Sequence, residues 1–178
     1  MILALDTATP VGSVALYSSK GTVVNRYFNL GLQHSQRLFV EIEAALDTAG
    51  VGMEQLQAVA VSIGPGSFTG LRIGLSAAKG LCVAGDKALV AVSTLETLAA
   101  RLPFARFPVC AILDARKREV YTALYDTADG VPVEQIGPRA IAPAQLAEER
   151  VGQPTIYTGD GAEVYRDLFG QQTRLAPP

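Results

Sequence analysis

One histidine, His34, stands in the 178 residues of the chain. Metal hydrolases, Ser-His-Asp sites and Cys-His sites all draw on histidine, most with further ligands beside it. His34 is followed by Ser35, Gln36, Arg37 and Leu38, so no second ligand comes at i+4. Cysteine is nearly as scarce. Cys82 and Cys110 form neither a framework nor a CxxC pair and read as reduced, buried thiols. Charge is thin as well: Asp, Glu, Lys and Arg make 18% of the chain, against about 25% in a typical soluble domain. With 49% hydrophobic residues, this excludes disorder and points to more buried surface than a lone monomer needs. A net charge of −2 argues against a stand-alone nucleic-acid binder, which is normally basic. No apolar run reaches about 18 residues, and Met1 leads directly into Ile2-Leu3-Ala4-Leu5 with no basic stretch. The expectation is a cytoplasmic chain, neither exported nor inserted in a membrane.

What the chain does contain is organised. Three short apolar segments (2–5, 12–17 and 22–29) alternate with turn residues and predict an antiparallel meander. From His34 to Ala49 the period becomes helical through Leu38, Phe39, Ile42, Ala45 and Leu46, with Gly50 at the stop. A strand (57–63), a glycine-rich loop (Gly64 to Gly70), a helix (69–84), a strand (88–92) and a helix (94–101) follow. Pro103 to Pro108 marks a junction, so the expected domains are 1–102 and 103–178. Beyond it come strands at 109–113 and 119–125, a helix at 144–149, a strand at 155–158 and a helix opened by Gly159-Asp160-Gly161.

One repeat links the two halves. Leu5-Asp6, eight residues, then Ala15-Leu16-Tyr17 recurs as Leu113-Asp114, eight residues, then Ala123-Leu124-Tyr125. Each copy is a strand ending in Asp, a turn and a second strand. Two related halves of this kind match the plan of actin-like, phosphate-handling folds. Asp6 and Asp114 are then either paired carboxylates facing a cleft or ordinary caps of turn N–H groups. The Gly64–Gly70 loop is neither a Walker A loop nor GxGxxG. It either cradles an anion or makes a tight turn with Thr69 as N-cap. Arg116-Lys117-Arg118, at the second turn, reads as a phosphate contact or as a solvated turn. The helix after the loop is the more informative element. Gly70, Gly74 and Ala78 make one small-residue face, Leu71, Leu75 and Cys82 lie beside it, and Ile73, Ala77, Leu81 and Ala84 make another apolar side. A helix apolar nearly all round is buried on both sides, which predicts a neighbour beyond its own sheet.

The ordered set Ile2-Leu3-Ala4-Leu5-Asp6-Thr7-Ala8-Thr9, Gly12 to Leu16, His34 to Arg37, Gly64 to Gly74, Val92 to Leu95, Asp114-Ala115-Arg116, Glu119-Val120-Tyr121 and Gly159-Asp160-Gly161 resembles the TsaB (YeaZ) family. The resemblance runs from residue 2 to about residue 169. It implies an α/β, actin-like (ASKHA, RNase H-like) duplicated fold of two lobes. It also implies a scaffold role in making threonylcarbamoyladenosine at position 37 of tRNA. The implied partners are TsaD, the catalytic paralogue, and TsaE, an ATPase, with a homodimer when TsaD is absent and tRNA met only through the complex. The first two helices of the first lobe are the implied interface, which makes Leu38, Phe39, Ile42, Gly70, Leu71, Gly74, Leu75 and Ala78 the expected partner contacts. The catalytic paralogue carries a His-x-x-x-His pair where this chain has His34 and Leu38, so the chain is expected to have no metal, no catalytic residue and no cofactor of its own, any ATP or ADP acting in the complex. The alternative is an actin-like ATPase or phosphotransferase, with Asp6, Thr7, Gly64, Gly66 and Asp114 as nucleotide contacts. Family members usually continue past residue 178 to a Tyr-Leu-Arg ending, so an incomplete second lobe is expected.

Overall fold

A computed structural model of the chain describes residues 1–29, 34–169 and 174–175. The chain divides into two compact units, Met1–Ser93 and Thr94–Pro178.

The first unit opens with β1 (Ile2–Asp6), β2 (Val11–Ser18) and β3 (Gly21–Asn29), an antiparallel meander. Helix α1 (His34–Ala49) leads to β4 (Ala58–Ser62), which pairs parallel to β1. Helix α2 (Phe68–Gly85) leads to β5 (Ala88–Val92), parallel to β4. The sheet order is β3-β2-β1-β4-β5. Alternation along the strands turns Leu3, Leu5, Val14 and Leu16 to one face. Against that face α1 sets Leu38, Ile42, Ala45 and Leu46, spaced by the helical period, and α2 sets Ala77, Ala78 and Cys82.

The second unit begins with α3 (Thr94–Ala100), then repeats the meander as β6 (Val109–Arg116), β7 (Glu119–Asp126) and β8 (Val133–Ile141). Helix α4 (Pro143–Glu149), β9 (Ile156–Thr158), α5 (Asp160–Val164) and β10 (Arg174–Leu175) complete it. The order β10-β9-β6-β7-β8 is the first sheet's order, strand for strand, read from the other edge. Strand β6 is buried on both faces. Val109, Ala111 and Leu113 pack with Leu95 and Ala99 of α3, whereas Cys110 and Ile112 pack with Leu146 of α4 and Ala162 of α5. The duplication expected from the two Leu-Asp hairpins is therefore complete at the level of topology, and the fold is the actin-like α/β fold.

Several local expectations are corrected. The boundary falls at Ser93/Thr94 rather than near residue 102, because α3 packs on β6 and β7 of the second unit. The N-cap of α2 is Ser67, not Thr69: the Ser67 hydroxyl accepts from Gly70 N at 3.2 Å. The helix opened by Gly159 is short: α5 stops at Val164, and Arg166–Leu168 forms a separate 3-10 turn. Strand β8 has no counterpart in the sequence reading. It is an edge strand, mostly exposed, and carries Gly137 and Pro138, so it lacks the apolar alternation that marks a half-buried strand.

Two constraints hold the first unit. Thr7, in the turn after β1, is fully buried and donates its hydroxyl to Gly70 O at 2.8 Å. A methyl group on Gly70 would collide with Thr7 O, and one on Gly74 with Thr7 Oγ1. Gly80, on the same helix, has open space where a side chain would begin. The second constraint is Glu41 of α1, buried and held by Arg26 Nε at 2.7 Å and Arg37 Nε at 2.9 Å. The hydrogen bond from Arg26 is the main reason that its carboxyl sits below the ordinary value of 4.5, against the opposing effect of burial.

Replacing a helical glycine by alanine normally stabilises a protein by about 1 kcal/mol. Gly80→Ala should do so, whereas Gly70→Ala should destabilise by about 2 kcal/mol because Thr7 cannot retreat; urea denaturation of the two variants reads the difference in sign. A lowered carboxyl pKa contributes stability that is present above the ordinary value and is lost as pH falls through the folded value. Glu41→Gln should therefore cost about 1–2 kcal/mol at neutral pH, both arginines being partly exposed. That cost should shrink once the pH is taken well below 4.5, which denaturation at both acidities would measure.

Candidate functional site

The outer surface of the first unit carries apolar side chains that its core does not use. On α1, Phe39 is 50% exposed and Val40 57%. On α2, Phe68 is 74% exposed and Val83 85%. Burying such a side chain is worth roughly 1.5–3 kcal/mol, so leaving two phenylalanines out is costly for an isolated molecule. Between the two helices the two phenylalanines border a groove of about 450 Å³, lined by Phe39, Phe68, Thr69, Arg72, Ile73, Ser76 and Ala77. Helical spacing explains the lining: 68, 72 and 76 make one row at i+4, and 69 and 73 the row beside it. The Arg72 guanidinium lies 5.4 Å from the centre of the Phe68 ring, which places a charge at the rim of an apolar floor.

The sequence-predicted partner contacts divide in two. Leu38 and Ile42 are core residues, and Gly70, Gly74 and Ala78 are buried, the two glycines against Thr7. This corrects the expectation that these five face a partner. The two glycines on α2 serve a close approach to the turn after β1, and Ala78 packs in the core. Leu71 and Leu75 are half-buried, and Leu75 packs on the core. Phe39 remains at the surface and in the groove. Phe68, Arg72 and Ile73 were missed. Phe68 reads in sequence as part of the glycine loop, and the surplus of apolar residues on α2 was visible without its direction.

Of the residues expected to meet a nucleotide, Asp6, Thr7 and Asp114 take part in bracing the fold. Asp6 Oδ1 accepts from Ala8 N at 2.9 Å and from Ser62 Oγ at 2.8 Å. Thr7 is wholly buried. Ser67 N donates to Ala8 O at 2.7 Å, so the glycine loop is laid against the first hairpin turn. Gly64 has φ of 108°, a conformation in which a side chain is strained, and its Cβ position lies 3.1 Å from Leu71. A Cβ on Gly66 would press on Ala8. In the second unit Asp114 Oδ1 accepts from Arg116 N at 3.0 Å, the counterpart of the Asp6–Ala8 bond, and Asp114 N donates to Asp160 Oδ1 at 3.1 Å. Both aspartates thus cap their own turns.

The remaining candidates for chemistry are buried. Cys82 and Cys110 are free thiols in the two cores, and burial pushes the Cys110 thiol up to about 11, so it is not a nucleophile at neutral pH. Among the described residues no three His, Cys, Asp or Glu side chains gather as a metal site. The side chain of His34 lies outside the described residues. No helix among the described residues is long and apolar enough to cross a membrane.

Comparison with known proteins places this architecture. The family model of TsaD, tRNA N6-adenosine threonylcarbamoyltransferase, matches residues 30–172. The Escherichia coli tRNA threonylcarbamoyladenosine biosynthesis protein TsaB is 36% identical over 98% of this chain and 77% of its own length. The Bacillus subtilis TsaB is 31% identical over 94% of this chain and 74% of its own. A solved structure of YeaZ from Pseudomonas aeruginosa superposes with a TM-score of 0.82 at 32% identity, covering 98% of this chain and 82% of that one. With its duplicated hairpins, its glycine-braced α2 and these relatives, the chain belongs to the TsaB (YeaZ) proteins of threonylcarbamoyladenosine biosynthesis, within the wider family that the TsaD model describes.

Proposed function

We propose that this chain is the scaffold subunit of the system that installs threonylcarbamoyl on adenosine 37 of tRNA, and that it docks TsaD in the groove between α1 and α2. The observation that carries the reading is the pair of exposed phenylalanines, Phe39 and Phe68, on either side of an open apolar groove. Aromatic anchors with an arginine at the rim are the composition of binding hot spots. The same groove serves a second copy of this chain when TsaD is absent, and TsaE joins the assembled pair.

The chain is not the catalyst in this reading. Leu38 stands four residues after His34, where the resemblance puts the second histidine of the catalytic paralogue, and it is a fully buried core residue. Asp6 accepts from Ser62 Oγ, Thr7 donates to Gly70 O and Ser67 N donates to Ala8 O, which supports a chain without a nucleotide of its own. A cytoplasmic location fits a partner of tRNA-modifying machinery.

Phe68→Asp should weaken binding to TsaD by about 30-fold or more, as loss of a central aromatic anchor does, with folding stability changed by less than about 0.5 kcal/mol because the ring is exposed. Titration calorimetry and thermal denaturation give the two numbers. Unchanged affinity would refute the groove as the docking site. ATP turnover by the isolated chain, abolished in Asp6→Ala, would refute the non-catalytic reading in favour of a phosphotransferase.

A further inference from the structure

The tip of the β6–β7 hairpin is built against its own sequence. Arg116 pairs with Glu119 across the strands, leaving Lys117-Arg118 as a two-residue connection. Lys117 has φ of 51° and Arg118 of 63°, and Arg116 before them has φ of 62°. Positive φ at both central positions is the pattern of a type I′ turn, which selects Asn-Gly or Gly-Gly. Non-glycine, non-Asn residues pay for that conformation in steric strain. Elsewhere the chain puts glycine at most positive-φ sites, among them Gly21, Gly50, Gly130 and Gly152. Here it puts three consecutive long cations.

The cations are exposed, and none takes part in a salt bridge among the described residues. The nearby acids keep their charge, but none is within ion-pair distance of the tip cations among the described residues. Asp114 Oδ1 accepts from Arg116 N, and Asp160 Oδ1 accepts from Asp114 N, at the base of the hairpin. Glu119 faces Arg116 in the register and offsets one charge. Lys117 and Arg118 stand exposed at the tip, outside any salt bridge among the described residues. Local strain at two exposed cations that form no ion pair is a broken local rule with no gain visible inside the chain, and such places point to a contact with another molecule.

We propose that Lys117 and Arg118 form a phosphate-backbone contact for RNA, used when the assembled complex engages its tRNA. The inference rests on the functional reading above, which supplies the RNA. An unspecific, two-phosphate contact suits both the acidic chain and the absence of any aromatic side chain in the tip sequence Arg116-Lys117-Arg118: it adds affinity to a complex and does not bind RNA alone.

The test is the double variant Lys117→Asn with Arg118→Gly, which restores the preferred turn residues and removes both charges. The variant should raise the melting temperature of the chain, because the strain is relieved. In complex with TsaD it should bind a tRNA transcript about tenfold more weakly at moderate salt, and the slope of log affinity against log salt should fall by about 1.5. Lys117→Arg with Arg118→Lys should keep wild-type affinity. Unchanged tRNA affinity and slope in a normally assembled complex would overturn the proposal, as would loss of ATP binding with tRNA binding intact. Sizing of the wild-type mixture separates the two readings: failure of the wild type to assemble with TsaD sinks the scaffold, whereas normal assembly with tRNA affinity indifferent to these residues sinks only the RNA contact.

Discussion

The first unit depends on one close approach, between the turn after β1 and the glycine face of α2. Thr7 is sealed there, its hydroxyl bonded to Gly70 O, and Gly70 and Gly74 offer no Cβ to hold the helix off. That contact holds the glycine face of α2 inward. With the small residues turned inward, Phe68, Arg72 and Ile73 are rotated toward α1, and the groove with Phe39 follows from helical geometry rather than from any loop. The over-apolar character of α2 thus has two separate causes. One face is small because it must be close, and the other is large because it is left open.

The second unit repeats the device with different parts. The end of β6, Ile112 to Asp114, meets Gly159 and Gly161 at the start of α5, and a Cβ at Gly161 would lie 3.0 Å from Asp114 N. Asp6 and Asp114 bind the N–H two residues ahead in the same manner. A strand end capped by its own aspartate and roofed by a glycine-bearing helix start is therefore the repeated unit of construction. In both copies one oxygen of the aspartate is turned to this bracing.

The two units differ in how their sheets are covered. Strand β6 carries core on both faces, with α3 on one side and α4 and α5 on the other. This is why α3 belongs to the second unit although it follows β5 after one residue, and why a boundary drawn at the proline-rich junction falls too late. Chain punctuation by Pro103 and Pro108 marks where the path bends, whereas packing decides which core a helix joins.

Periodicity and residue type alone determined the meander, the helix from His34 to Ala49, the strand from Ala88 to Val92 and the repeat of Leu-Asp hairpins. These features are local, set by alternation, helical spacing and composition, and they survive any packing. Strand β8 was invisible because an exposed edge needs no apolar pattern. Which face of α2 looks outward was decided only in three dimensions. Gly, Ala, Leu and Ile at helical spacing satisfy either orientation equally well. The choice was made by a single non-local fact, that Thr7, sixty-three residues from Gly70, occupies the space a side chain would have taken.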